Sequence, residues 1–439
     1  MTVGFHTFGC KLNQCETESL AEAFRSEGFD TVDAGRPADL YLVNTCTVTS
    51  KSEQKARRFL KALCLAAPGA PILVTGCYAE LEAGELGRLA PQIRIVPLRS
   101  EAGLADLAGR LGAASAPGGL PELIDSWLAG LDARRPAGAG FRLQPLKPAF
   151  HSRAYLKIQD GCDCHCTYCR VRIARGPSRS LPLEEALARA GDIEGQGYRE
   201  VVLTGVNIGS YRDGRTGLAE LLERLLSSSP GLRFRLSSLE PDGVDPALAG
   251  VAAHERVCPH FHIPVQSGSA KVLAAMGRRP SPEAILRAVE LLRAAKDDPY
   301  LAADFITGFP GESEADFEDS QGLAGRAEFT DLHVFQFSPR PGTPAADFSG
   351  RVAQRISGER ARRLRELAGR RLAEYRLRQI GRWREVLIES LSADGARGTS
   401  ENYLDVFIRA PASASIKKGG LYRVQILAVE KDTLVGEII

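Results

Sequence analysis

Three apolar runs in the N-terminal part of the chain each close on a cysteine. "VGFHTFGC" ends on Cys10, "DLYLVNTC" on Cys46 and "PILVTGC" on Cys77. Helical periodicity fills the gaps, in "ETESLAEAFRSEGF" and from about Thr49 to Ala66, and "ELEAGELGRLA" follows the third run. Strands that alternate with helices need crossover connections, which give a parallel sheet covered by helices. The carboxyl ends of such strands lie side by side, and the crevice outside them is where open α/β sheets bind ligands. One cysteine after a strand would be bland. Three in successive units, Cys10, Cys46 and Cys77, form a candidate set of ligands for one metal cluster.

Residues 112 to 150 change character. "GAASAPGGLP" and "RRPAGAGFRLQPLKP" are rich in Gly, Pro and Ala and read as a linker with one short helix between its halves. A second alternation then begins. Its strand candidates are "AYLKI" (154–158), "REVVLTG" (199–205), "LRFRLSS" (232–238), "HFHIPV" (260–265), "LAADFITG" (301–308) and "LHVFQFS" (332–338). Six βα-type units fit a partial or complete parallel barrel better than a doubly wound sheet. Residues 351 to 384 form a helical stretch with twelve Arg against three Glu. It is either a solvated helix face or an RNA-facing surface. From 383 onward, "REVLIESLS", "NYLDVFIRA", "LYRVQILAVE" and "TLVGEII" alternate apolar and polar residues, as in a small OB-like or SH3-like barrel. The expected fold class is therefore α/β. It combines an N-terminal Rossmann-like parallel domain (1–120), a linker (121–147), a central (βα)6 partial TIM barrel (148–375) and a C-terminal antiparallel β-barrel (376–439).

"DGCDCHCTYC" (160–169) follows the first strand of the second alternation and so falls in the first βα-loop of a barrel, at the face where barrel enzymes place their sites. Cys162, Cys166 and Cys169 are spaced to hold a [4Fe–4S] cluster by three irons, leaving the fourth iron open to a substrate. Cys164 is either a bystander or the fourth ligand of a closed zinc or Fe–S site. Zinc sites usually pair two CxxC knuckles, and only Cys166 and Cys169 make one here. Cys64 lies on one helical face with Leu60, Leu63 and Ala67 and reads as a core thiol, while Cys15 and Cys258 have no partner spacing. The net charge of +2 excludes a chain-wide attraction to polyanions, so any nucleic-acid surface is a local patch. No apolar stretch is long enough to cross a bilayer, and "MTVGFHTFGC" lacks the charged and apolar regions of a signal peptide. The expected compartment is the cytoplasm, where cysteines are ligands or buried thiols rather than disulfides.

These motifs resemble the radical S-adenosylmethionine (SAM) superfamily and, within it, the methylthiotransferase family. The resemblance covers nearly the whole chain, through "GCKLNQCETE", "VNTCTVT", "TGCYAE", "IQDGC…CTYC", "ARGPSRS", "LTGVNIGSY", "SSLEP", "HIPVQSGS", "DFITGFPGE", "FSPRPGTPA" and "SENY" in this order. "GCKLNQCETE" and "ARGPSRS" are most similar to the subgroup that acts on threonylcarbamoyladenosine at position 37 of tRNA. Other subgroups act on isopentenyladenosine in tRNA or on an aspartate of a ribosomal protein. A further alternative is an Fe–S or zinc RNA-binding protein without catalysis. Cys15 stands where that first subgroup usually has Tyr. "CRVRIARG" (169–176) stands where apolar residues and Pro are more common, which alters the loop over the cluster.

The resemblance implies two [4Fe–4S] clusters, one on Cys162, Cys166 and Cys169 and one on Cys10, Cys46 and Cys77. The first would bind SAM through its open iron and cleave it to a 5′-deoxyadenosyl radical. The second would supply or hold the sulfur, and a second SAM the methyl group. Around SAM it implies Gly205 and Asn207 after the second barrel strand, Ser237 and Glu240 after the third, and Gln266 and Ser267 after the fourth. It adds Gly308 and Gly311 after the fifth and Phe337 near the end of the sixth, with Tyr168 packing near adenine. The C-terminal segment resembles the TRAM RNA-binding module. Tyr403, Lys417 and Lys418 would form its footprint together with the Arg-rich helix, on a tRNA anticodon stem-loop whose splayed bases are read by stacking and edge contacts. A flavodoxin- or ferredoxin-type protein would donate electrons, and no membrane partner is expected. No side chain is singled out as a catalytic acid or base.

Overall fold

The computed structural model describes residues 1–113, 119–131, 141, 143, 150–409 and 416–438. Most of the two Gly/Pro/Ala-rich runs read as a linker lies outside them. The short helix expected between those runs is present at Leu120–Ala129.

The N-terminal unit is a five-stranded sheet, parallel throughout: β1 (Thr2–Thr7), β2 (Asp30–Asp33), β3 (Leu40–Thr45), β4 (Ile72–Gly76) and β5 (Ile93–Ile95), in the order β2-β1-β3-β4-β5. Each central strand is apolar on both sides, as a sheet covered on two faces requires. Leu40 and Leu42 pack with Val3, Phe5 and Phe24 on one face. Tyr41 and Val43 pack with Leu60, Ile72 and Val74 on the other. Helices α1 (Lys11–Ser26), α2 (Ser50–Ala66) and α3 (Cys77–Leu81) follow β1, β3 and β4. Thr49 starts α2 with a capping box to Ser52, satisfying backbone N–H groups the helix cannot. The edge strands β2 and β5 were not among the expected elements.

The central unit has six parallel strands in chain order: β6 (Ala154–Lys157), β7 (Glu200–Thr204), β8 (Arg233–Leu236), β9 (His260–Gln266), β10 (Tyr300–Thr307) and β11 (Asp331–Gln336). β6, β7 and β8 form one sheet and β9, β10 and β11 another. Parallel bridges Phe234↔Val257 and Ser238↔His262 join the two into an open arc. A continuous core of Leu156, Leu203, Phe234, Ile263, Leu301 and Phe305 runs through it to the outer helices. This is the expected partial barrel.

Helix α5 (Gln354–Leu377) carries most of the Arg-rich stretch. Much of its charge is used internally. Arg360 pairs with Glu312 at 2.7 Å and Glu314 at 3.2 Å, Arg363 with Glu314 at 2.6 Å and Arg376 with Asp432 at 2.7 Å. Arg365 caps the carbonyl of Val334. Arg355 and Arg370 are exposed and have no ion pair among the described residues.

The C-terminal unit is a closed five-stranded barrel: β12 (Trp383–Ser392), β13 (Gly395–Ser400), β14 (Asp405–Arg409), β15 (Leu421–Glu430) and β16 (Thr433–Glu437), in the order β12-β13-β14-β16-β15. All pairs are antiparallel except β14 with β16. β13, "GARGTS", was not among the expected strands. It lacks an apolar alternation because Gly398 lies against the Leu387 carbonyl too closely for a side chain. No helix among the described residues is long and apolar enough to cross a membrane.

Candidate active site

The three N-terminal cysteines are brought together by strand register. Thr7 pairs with Asn44 and Thr45 with Gly76 on the adjacent strands β1, β3 and β4, so Cys10, Cys46 and Cys77 leave the sheet at one edge. Two glycines make this possible. Gly9 has φ +127, and a Cβ there would lie 2.9 Å from Cβ of Cys46. Gly76 has φ +93 and is packed against the backbone of Thr45. Burial is the main cause that pushes the Cys46 thiol up to about 11, followed by the charge of Cys10. Burial likewise raises Cys77, against the nearby Arg175.

The second cysteine group lies on the loop after β6. Its turns are fixed from outside. The Cys162 N–H donates to the Gly176 carbonyl at 3.1 Å and the Thr167 N–H to the Met276 carbonyl at 2.9 Å, while Cys169 N–H closes the CxxC turn on the Cys166 carbonyl. Sγ of Cys162 accepts from the Cys164 N–H and Sγ of Cys169 from the Val171 N–H, each at 3.4 Å. Hydrogen bonding from Cys164 lowers the Cys162 thiol, and burial raises Cys169 to about 11. All four cysteines line one cavity of about 290 Å³, roofed by Val48 and Thr49 of the N-terminal unit.

Tyr168, Asn207, Glu240, Gln266 and Phe337 line the same cavity. Glu240 is gripped by Arg278 at 2.9 Å and 2.5 Å, and Arg278 also reaches the Pro264 carbonyl. Gln266 sits at φ +73, a strained setting for a residue with a side chain. Oδ1 of Asn207 is buried without a partner among the described residues. Three soft thiols on one loop, beside an unfilled polar acceptor, fit an Fe–S cluster with a polar ligand next to it.

Gly205 and Ser237 instead line a second cavity, of about 600 Å³, which also holds Cys10. Ser238 borders both cavities. The remaining expected SAM neighbours line neither. Ser267 is buried against Ser320 at 3.1 Å. Gly308 (φ +75) donates to Glu312, and Gly311 (φ +80) turns the chain onto the Gly350 carbonyl. Tyr403 lines the second cavity, 4.3 Å from the ring of His260, and is also exposed to solvent. Lys417 and Lys418 are exposed on the turn before β15.

The two cysteine groups are joined by helix α4 (Val171–Arg175), which begins two residues after Cys169. Ala174 packs on Cys77, and Arg175 Nε donates to Cys77 Sγ at 3.1 Å. The same guanidinium pairs with Glu16 at 2.7 Å and Asp160 at 3.1 Å, and Lys157 pairs with Glu16 at 2.8 Å and Asp160 at 3.2 Å. Arg179 adds a further cation at 3.5 Å from Asp160, so cations and carboxylates are paired in a buried network, the condition under which buried ions persist. Arg170 and Arg340 repeat the pattern on Glu53. These arginines were not identified from the sequence. For Arg170 and Arg175 the signal was present in "CRVRIARG", whose charges depart from the apolar residues usual there.

Residues 156–324 match the Radical SAM superfamily model, and residues 2–97 match a model described as uncharacterized protein family UPF0004. The chain is 38% identical to threonylcarbamoyladenosine tRNA methylthiotransferase MtaB of Treponema pallidum, over 81% of this chain and 84% of that protein. It is 36% identical to the protein of the same name from Thermotoga maritima, over 100% and 99%. In fold it is similar to the radical SAM methyltransferase TsrM of Kitasatospora setae, solved with cobalamin and a [4Fe–4S] cluster. That match has a TM-score of 0.55 at 15% identity and covers 78% of this chain and 76% of that one. On its cysteine pattern, its three-part architecture and this identity over most of both chains, the protein belongs to the methylthiotransferase family of radical SAM enzymes, in its MtaB-type branch.

Proposed function

We propose that the protein is a tRNA methylthiotransferase that places a methylthio group on C2 of N6-threonylcarbamoyladenosine, or its cyclic form, at position 37. The observation that carries this reading is the pairing of two cysteine triads across one five-residue helix, with Cys162, Cys166 and Cys169 lining one cavity and Cys10 lining the adjoining one. Cys162, Cys166 and Cys169 would hold one [4Fe–4S] cluster, and Cys10, Cys46 and Cys77 a second. When bound, the first would supply the electron that cleaves SAM to methionine and a 5′-deoxyadenosyl radical, and the second would supply or hold the sulfur.

The chain's own residues position and exclude. Asn207 Oδ1 would accept a donor from SAM, and Glu240 is held rigid for the same purpose by Arg278. Tyr168 and Phe337 would close apolar walls against water, which lets a reactive radical survive. The second cavity would take the flipped base, since it reaches from Cys10 to Ser238 at the edge of the first. Residues 1–120 would thus carry the sulfur site, 148–375 the SAM site and 376–439, with Lys417, Lys418 and the exposed arginines of α5, the RNA. A flavodoxin or ferredoxin would deliver electrons.

The test is anaerobic incubation of the reconstituted protein with SAM, dithionite and a threonylcarbamoyladenosine-containing anticodon stem-loop. The proposal expects 5′-deoxyadenosine and a methylthiolated stem-loop. Absence of 5′-deoxyadenosine from a cluster-loaded protein would leave a non-catalytic Fe–S RNA-binding protein.

A further inference from the structure

The second cavity is charged unevenly. Its lining cations include Lys11, Arg153 and Arg376. Arg153 is paired with Glu389, and Arg376 with Asp432. Of the lining acids, Asp331 accepts from Tyr300 at 3.1 Å and lies by His333, Glu389 is taken by Arg153, and Asp405 is exposed. Lys11 is different. No carboxylate among the described residues lies within ion-pair distance of its amino group, which rests 5.1 Å from the centre of the Tyr403 ring. Behind it stand three guanidinium groups, Arg153, Arg233 and Arg235, which meet Glu200 at 3.9, 2.5 and 2.8 Å, while Arg153 also pairs with Glu389 and Arg233 with Glu385 at 3.7 Å. Tyr403 is itself held at φ +67, so the ring that supports Lys11 is fixed at some backbone strain.

We propose that Lys11 is the specificity residue for the substrate, binding the free carboxylate of the threonylcarbamoyl group. This rests on the reading of the site given above. Covalent geometry supports it. In adenine, C2 and C6 flank N1 on one edge of the ring, so a base presenting C2 to the sulfur site carries its N6 substituent alongside. Lys11 is the residue next to Cys10 and lines the same cavity. A cation there meets the one charged group that the threonylcarbamoyl substituent adds relative to unmodified or isopentenylated adenosine, a carboxylate. An ammonium poised in a partly desolvated pocket favours such a group over a neutral one. The cyclic form, which has no free carboxylate, would gain nothing from Lys11.

The experiment compares binding of three anticodon stem-loops to cluster-loaded protein by fluorescence anisotropy. One carries threonylcarbamoyladenosine, one its neutral threoninamide analogue and one unmodified adenosine. Wild-type protein should bind the carboxylate form on the order of tenfold more tightly than the amide, the discrimination of one charged hydrogen bond. Lys11→Met should bring that ratio close to one, and Lys11→Arg should keep most of it, with iron content measured on each variant. The amide arm separates the threonyl carboxylate from backbone phosphates, which all three RNAs share. A full ratio in Lys11→Met with wild-type iron content overturns the inference alone. A wild-type protein that cleaves SAM but does not methylthiolate the threonylcarbamoyl RNA overturns the functional reading, and this inference with it.

Discussion

Arg175 Nε lies 3.1 Å from Sγ of Cys77, so the helix that follows one cysteine triad is hydrogen-bonded to a member of the other. The contact fixes the distance between the two candidate cluster sites through a side chain that is itself buried. The spacing of the sites is therefore a property of the domain interface and not of the loops that carry the thiols.

Removing the guanidinium should open that interface. In Arg175→Met, Glu16 keeps Lys157 and Asp160 keeps Lys157 and Arg179, while both lose the Arg175 guanidinium. Breaking a buried pair in this way costs about 3–5 kcal/mol. The expected result is a lower urea midpoint and loss of product formation. Equal midpoints for wild type and variant would show that the pair does not hold the interface.

Cys164 tests the three-thiol reading of the loop. Cys164→Ala should retain the first cluster and SAM cleavage, while Cys166→Ala should lose both, with 5′-deoxyadenosine falling roughly 100-fold or more. Iron content and the low-temperature EPR signal of the reduced protein report this. Equal loss in the two variants would restore Cys164 as a ligand.

Gly76→Ala should disable the sulfur site selectively. A side chain at φ +93, against the Asn44 side chain and the Thr45 backbone, adds about 1–3 kcal/mol of strain next to Cys77. The variant should lose one cluster's iron, keep SAM cleavage and make no methylthiolated product. Full iron in both sites would contradict the convergence of Cys10, Cys46 and Cys77.

The barrel holds a titrating pair with opposite shifts. For Asp304, burial would raise the carboxyl, but hydrogen bonds from His262 at 2.9 Å and His333 at 3.2 Å outweigh it and hold the group at about 2. The hydrogen bond to Asp304 raises His333 above its ordinary value, against burial. A carboxyl held low stabilises the fold at neutral pH, and that contribution fades as pH falls through the acid range toward about 2. The imidazole held high stabilises below its unfolded value and stops doing so as pH rises through its folded value. Asp304→Asn should therefore lower the His333 titration, leaving burial as the dominant effect. NMR titration of the imidazole checks the sign, and an unchanged midpoint would remove the pairing.

Parallel strands that each end in cysteine were legible because register alone brings their ends together, and Cys10, Cys46 and Cys77 needed no long-range knowledge. The barrel strands were legible from their apolar runs, which are buried on both sides in the first three and alternate in the sixth, where His333 and Phe335 are exposed. β13 was not, since "GARGTS" is chosen for close backbone approach and not for side-chain burial. The Arg-rich helix was read correctly as helix, but its charge was not assigned, because Glu312, Glu314 and Asp432 come from other elements. Tyr403 shows the same limit. Its neighbours Lys11, Arg153 and His260 lie far from it in sequence and meet it only in the folded chain.

The central claim is sulfur insertion at C2 of one nucleoside, and nucleoside mass spectrometry of tRNA from a deletion strain tests it most directly. The account predicts loss of 2-methylthio-threonylcarbamoyladenosine, or its cyclic form, with the unthiolated nucleoside accumulating and wild-type protein restoring the product. Disappearance of only the isopentenyl analogue, or tRNA left unchanged, would contradict it.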